Sequence, residues 1–236
     1  MHEEVAALLP CLADARVERR GGRDFHLGRL DGHDVIVVRS GIGKVAAATT
    51  TAVLLDAFDA TALLFTGVAG GLHGDVRVGD VALGAELLQH DMDASPLFPR
   101  HEVPLTGRSR FPADAAWTSR VARAVGEVFT QPCPARAAFG LSTPALHQGL
   151  VVSGDRFVAT TLESDRLRAA LPDALAVEME GAALAQVCHD FGRPFAVVRT
   201  VSDRADDQAH ADFGRFVAEL AAPYSRDIVR ATLRQG

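Results

Sequence analysis

Apolar and polar positions along the chain fall into short blocks that predict strands separated by helices. Phe25–Leu30 and Val35–Arg39 flank Asp31-Gly32-His33, a turn signal, and predict a β-hairpin. From Gly43, an Ala/Thr/Leu run to Phe58 has helical length and predicts an amphipathic helix. Ala62–Thr66 and Asp80–Gln89 read as buried strands, and Asp114–Phe129 as a helix capped by Asp114. Further on, Ala137–Gly140 and Gly149–Ser153 predict strands, and Leu162–Ala170 a helix. A short apolar strand closes at Glu178, and Glu180–Phe191 predicts a helix ending before Gly192. Phe195–Val201 predicts a second buried strand that runs into Ser202-Asp203, and a last helix covers Phe213 to about Leu233. His90–Gly107, rich in Pro and Asp, reads as a long loop, and loops of this length are usually functional. Strands alternating with helices imply a doubly wound or closed α/β sheet.

Composition narrows this picture. With 236 residues, 48% of them hydrophobic, the chain can bury a substantial core, and no linker or repeat divides it, so 1–236 reads as one domain. A net charge of -6, with 24 Lys and Arg that form no basic run, argues against a nucleic-acid partner. Apolar runs are too short for a membrane span; Val53–Phe65 is broken by Asp56 and Asp59. Met1-His-Glu-Glu has neither the positive region nor the apolar region of a signal peptide, which predicts a cytoplasmic protein. Cys11, Cys133 and Cys188 are too scattered for a disulfide framework.

Candidate chemistry concentrates in carboxylates. Glu178, Glu180 and Asp203 stand at the C-terminal ends of two apolar strands, read as adjacent, where open α/β sheets bind ligands. Buried carboxylates there are costly unless paired or used. The plain alternative is that Glu178 and Glu180 cap the dipole of the following helix. Gly41-Ile-Gly-Lys44 is not a P-loop, because Val38 occupies the position of the first glycine and neither Ser nor Thr follows Lys44. Thr66-Gly-Val-Ala-Gly-Gly71 lacks the spacing of a dinucleotide fingerprint, and His90-Asp-Met-Asp93 has no partner cluster with metal-ligand spacing.

Seven segments carry a resemblance. Met1-His-Glu-Glu-Val5, Ser40-Gly-Ile-Gly-Lys-Val-Ala-Ala-Ala48, Thr66–Gly71, Val78-Gly-Asp-Val81, Val152-Ser-Gly-Asp-Arg-Phe157 and Val177-Glu-Met-Glu-Gly-Ala-Ala183 with Val198-Arg-Thr-Val-Ser-Asp203 follow one another in the chain. The order and content resemble the methylthioadenosine/S-adenosylhomocysteine nucleosidases of the purine and uridine phosphorylase superfamily. That resemblance implies a three-layer α/β/α domain with a mixed central sheet, nucleoside phosphorylase-like. It implies hydrolysis of the N-glycosidic bond of methylthioadenosine and S-adenosylhomocysteine without cofactor or metal, by a homodimer whose site the neighbouring subunit completes.

By the same resemblance, Asp203 is the acid that protonates the purine at N7, a role that needs a raised pKa, which burial favours. Glu180 grips the ribose hydroxyls and senses the forming cation, Glu178 supports it from the same face of an extended segment, and Glu4 is the general base for water. Phe157 stacks on adenine and the backbone at Val158 reads its edge. Met179 and Phe213 wall the ribose and 5′ substituent, Ile42 is a further substrate-binding residue, Phe98 reaches a neighbouring subunit, and Arg199 stands near the attacking water or pairs with a carboxylate. Val68 replaces a serine of many relatives. One departure stands out: relatives carry a short apolar strand before the M-x-E-E-V segment, so the resemblance expects a central strand ahead of Met1 and Glu4 at a frayed end without it. A futalosine or aminofutalosine hydrolase is the close alternative; a phosphorylase and a non-catalytic nucleoside binder are the distant ones.

Overall fold

The computed structural model describes residues 1–206 and 213–235. Its elements are α1 (His2–Leu8), β1 (Ala13–Arg20), β2 (Arg23–Leu30), β3 (His33–Val38), α2 (Lys44–Asp56), β4 (Leu63–Gly71), β5 (Val81–Gln89) and β6 (Arg110–Pro112). They continue with α3 (Ala115–Phe129), α4 (Pro134–Ala138), β7 (Leu146–Ser153), α5 (Thr161–Ala170), β8 (Ala174–Glu178), α6 (Gly181–Asp190), β9 (Phe195–Asp203), α7 (Phe213–Phe216) and α8 (Ala222–Arg234).

The main sheet is mixed. Its order is β6-β5-β7-β8-β4-β9, and β9 also pairs with β5, so five strands close into a ring. The pairs β5–β7, β7–β8 and β4–β9 are parallel, while β5–β6, β4–β8 and β5–β9 are antiparallel. Strands covered on both faces need apolar residues at successive positions. In β9, Phe195 and Val197 face a cluster with Leu55 of α2 and Cys188 of α6, whereas Ala196 and Val198 face one with Val125 of α3 and Ile228 of α8. That period of two places a helical layer on each side of the sheet. β1, β2 and β3 form a separate antiparallel sheet, in which Asp31 and Gly32, both at positive φ, make the two-residue turn joining β2 to β3.

Several expectations need correction. Ala137–Gly140 is not a strand: Pro134 starts the short helix α4 there, and Gly140, at φ 63°, follows its end. β8 and β9 are not neighbours, since β4 runs between them, pairing with Val177 at one edge and Asp203 at the other through Gly70. In α2 the apolar residues are spread around the helix instead of forming one stripe. The last helix is not uniform: Val217–Ala221 is a π-turn, and Pro223, which has no N–H to give, comes two residues after it. The pattern does not predict α1, β1 or β6; β1 is exposed along almost its whole length and therefore shows no apolar alternation.

Besides the outer edges of β1 and β6, two strand edges lack a partner among the described residues: that of β3 away from β2, and that of β4 before Gly70 on the side away from β9. Both border one cavity of about 1350 Å³. Residues 33–42 and 58–68 line it without a gap in either series, as backbone edges do and single side-chain faces do not.

Candidate active site

The cavity between β3 and β4 reaches the C-terminal end of the main sheet, where Glu4, Ile42, Val68, Glu180 and Arg199 all line it. Arg199, on the buried strand β9, is 1% exposed, and Gly67 on β4 makes room for it: a Cβ at Gly67 would stand 2.7 Å from Arg199 Nη1. The guanidinium lies 4.2 Å over the Phe65 ring and gives two hydrogen bonds to Glu178, Nη2 at 2.6 Å and Nε at 3.2 Å from Oε2. Among the described residues, Nη1 has no hydrogen-bond partner. A fully buried guanidinium N–H without an acceptor is costly, and Arg199 is one of the residues lining the cavity.

Glu178 and Glu180 are separated in role. Glu178 accepts from Arg199, from the Ser153 hydroxyl, and from the backbone N–H groups of Glu180 and Gly181. It therefore caps α6 and balances Arg199 at once, so the capping alternative holds for this residue. Glu180 makes no side-chain cap; its Oε1 accepts the Gly43 N–H at 2.8 Å. Burial, then the neighbouring Glu178 charge, pushes the Glu180 carboxyl above the usual range, against the opposing pull of Arg199 and the Gly43 N–H.

Glu4 lies within α1 and is 2% exposed, not at a frayed end. Its Oε1 accepts the Ser225 hydroxyl at 2.9 Å, and its Oε2 faces the Met1 amine. Asp203 is 8% exposed; its Oδ1 accepts the Ala205 N–H at 2.8 Å and its Oδ2 the Ser202 hydroxyl at 2.7 Å. A Cβ at Gly70 would approach Asp203 Oδ1 to 2.9 Å, so the glycines of Thr66–Gly71 clear space for both Arg199 and Asp203.

Asp203, Phe98, Phe157, Val158, Met179 and Phe213 lie outside this cavity's lining. The Phe157 ring is 43% exposed, whereas Val158 is buried in a cluster with Leu88, Val152 and Val177 and so packs as core. Met179, Phe98 and Phe213 are half-buried, and Phe213 opens α7 directly after the undescribed 207–212. Sequence reasoning missed Ser225 and Ser153. Ser153 stands inside one of the seven shared segments, while Ser225 carries only the weak signal of a polar residue on a buried helix face. No group of three or more His, Cys, Asp or Glu among the described residues has the geometry to hold a metal.

The family model of the phosphorylase superfamily matches residues 1–234. A 5′-methylthioadenosine/S-adenosylhomocysteine nucleosidase of Chromohalobacter salexigens is 36% identical over 236 residues, covering 100% of this chain and 94% of that protein. The crystal structure of the nucleosidase of the same name from Neisseria meningitidis, in complex with methylthio-immucillin-A, has TM-score 0.87 and 35% identity over 100% of this chain and 96% of that one. A futalosine hydrolase mutant from Helicobacter pylori has TM-score 0.86 at 29% identity, over 100% and 96%. The chain therefore belongs to the phosphorylase superfamily and, within it, to the family of 5′-methylthioadenosine/S-adenosylhomocysteine nucleosidases.

Proposed function

We propose that this protein hydrolyses the N-glycosidic bond of methylthioadenosine and S-adenosylhomocysteine, releasing adenine and the 5-thioribose product. The observation that carries the reading is one cavity lined by Glu4, Glu180 and Arg199, whose Nη1 has no partner among the described residues. Water held between Glu4 and Arg199 loses a proton to Glu4 as its oxygen attacks C1′. Glu180 stabilises the positive charge on the ribosyl ring, and Asp203 delivers a proton to N7 as the bond from C1′ to N9 breaks. Phe157 offers its exposed ring to the base, Val158 its backbone, and Ile42, Met179 and Phe213 surround the sugar and its 5′ group. Val68 presents no hydroxyl to the water. Phosphate in place of water would face two carboxylates, and the Arg199 charge is already matched by Glu178. Adenine release from methylthioadenosine in EDTA without phosphate tests the reading; a ribosyl phosphate formed only when phosphate is added overturns it. Futalosine hydrolysis is the second reading, favoured by the fold shared with that hydrolase, and the same assay on futalosine ranks the two.

The working form in this proposal is a cytoplasmic homodimer. Ile42, Val45, Leu97, Leu105 and Leu162 are each more than 60% exposed. They sit on the start of α2, the 90–107 loop and the start of α5, and a second copy that covers them places its Phe98 loop beside the site. None of the described helices is long and apolar enough to cross a membrane, and all three cysteines are free, as in a reducing compartment. As for the domain, we infer from the facing edges of β3 and β4 that the slot between them takes one further extended segment. Six or so apolar residues added ahead of Met1 are expected to raise Tm; an unchanged Tm overturns this inference.

A further inference from the structure

Three segments from distant parts of the chain meet at one ammonium. Lys44, the first residue of α2, places its Nζ 2.6 Å from Asp91 Oδ1 on the loop after β5 and 3.8 Å from Asp155 Oδ2 on the loop after β7. The backbone completes the circuit. Lys44 N–H donates to Asp155 Oδ1 at 2.7 Å, and Asp155 N–H donates to Asp91 Oδ2 at 2.9 Å. The Lys44 side chain is 16% exposed, a low value for a lysine, which normally keeps its charge in water. One residue earlier, Gly43 N–H holds Glu180 Oε1 at 2.8 Å. Gly43 itself has φ 90°, and a Cβ there would stand 3.0 Å from Asp155 Oδ1, so both the turn and the close approach select glycine. Two residues past Asp155 comes the exposed ring of Phe157.

The charges explain why a cation is needed. Asp155 stands at the N-terminus of α2, which favours an anion, but Asp91 brings a second carboxylate to the same spot. Two carboxylates so close repel unless a positive group sits between them. Burial pushes the Asp91 carboxyl up, but Lys44 and the Asp155 N–H outweigh it and hold the group below the usual range.

We propose that Lys44 is a positioning residue of the hydrolysis: by neutralising Asp91 and Asp155 together, it fixes the loop carrying Phe157 relative to α2, whose Gly43 N–H aims Glu180. The proposal rests on the nucleosidase reading of Phe157 and Glu180. Lys44 itself contacts no reacting atom. Its loss loosens the base side of the site, which binds ground state and transition state alike, so KM suffers more than kcat.

The test compares the wild type with Lys44→Met, Lys44→Arg and the double variant Lys44→Met/Asp91→Asn, reading methylthioadenosine kinetics and amide hydrogen exchange. Lys44→Met is expected to raise KM by about tenfold with a smaller change in kcat. The Asp155 amide should exchange faster. Lys44→Arg, which keeps the charge, and the double variant, which removes the repulsion, should both recover most of the KM. An unchanged KM and unchanged exchange in Lys44→Met overturn the proposal. So does a double variant no better than Lys44→Met, because the lysine would then act by packing alone. Should Lys44→Met fail to fold, Lys44→Gln, which also lacks the charge, carries the test: faster Asp155 exchange supports the clamp and unchanged exchange overturns it. If the wild type releases no adenine, the functional reading falls, while the exchange comparison still decides the role of Lys44.

Discussion

The surroundings of Glu178 and of Glu4 are built on different plans. At the ends of β7, β8, β4 and β9, Glu178 alone collects donors from Arg199, Ser153, Glu180 and Gly181, and glycines at 67 and 70 clear space for the groups beside it. Glu4, by contrast, accepts from one side chain, Ser225, faces the Met1 amine, and lines the cavity between β3 and β4. A carboxylate with its full set of donors is locked and spectates; one with few is available for a proton. Burial does not tell the two apart, since Glu4 and Glu178 are both buried.

The largest expected effects test that separation on the acids assigned to chemistry. Asp203→Asn keeps shape and hydrogen bonding but cannot donate the carboxylic proton, so kcat on methylthioadenosine should fall about 10²–10⁴-fold with little change in binding. The loss should shrink for a nitrophenyl thioriboside, whose leaving group needs no proton. Glu180→Gln removes the charge facing the ribosyl cation and should harm both substrates alike. Equal losses for Asp203→Asn on the two substrates mean that Asp203 is not the acid.

On the locked side, stability replaces rate as the readout. Arg199→Met leaves Glu178 buried and unpaired, which typically costs about 3–5 kcal/mol. Denaturant unfolding measures it, and a loss under about 1 kcal/mol would mean the Glu178 donors from the backbone suffice. Glu180 lies between the two plans. Its carboxyl is raised by burial and by Glu178, so the native state holds this proton more tightly than the unfolded chain does. The stability it contributes is complete below the ordinary carboxylate value of 4.5 and is lost as pH rises through the raised value. Glu180→Gln cannot titrate and should therefore gain on the wild type as pH rises over that window. Parallel stability curves for the two proteins from pH 4 to 7, about the range where carboxyls titrate, would show that Glu180 carries no such burden.

How much of this is legible in the sequence depends on where each signal comes from. The two-faced burial of β9 and the Asp114 cap of α3 are local patterns, and both can be read directly. Ala137–Gly140 misleads because four residues cannot distinguish a strand from the turn of helix that Pro134 starts. The insertion of β4 between β8 and β9 is hidden, since the order of parallel strands is set by crossovers and not by any one segment. In the site, the motifs name Glu178, Glu180 and Arg199 but not which glutamate the arginine takes. That choice is made by Gly67, which lets the guanidinium lie across β4, and by Gly181, whose N–H claims Glu178. Contacts between residues 137 apart, such as Gly43 with Glu180, leave no periodic trace at all.

The smallest expected effect is the most specific for the surroundings of Glu4. Ser225 and Glu4 are 221 residues apart in sequence, and the hydroxyl is the one side chain that orients the Glu4 carboxylate. Ser225→Ala removes a single hydrogen bond to a charged group, about 1.5–3 kcal/mol at most and less where water from the cavity replaces it. A drop in kcat of a few-fold, on the order of 1 kcal/mol, follows. Such a drop alone proves little, because any change on the buried face of α8 disturbs packing. The decisive measurement repeats Ser225→Ala in a Glu4→Gln background. If the hydroxyl works through Glu4, the second substitution has nothing left to disorient, and the double variant is as slow as Glu4→Gln alone. If instead the two losses multiply, Ser225 does not act through Glu4, and the base is oriented by its place on α1 alone.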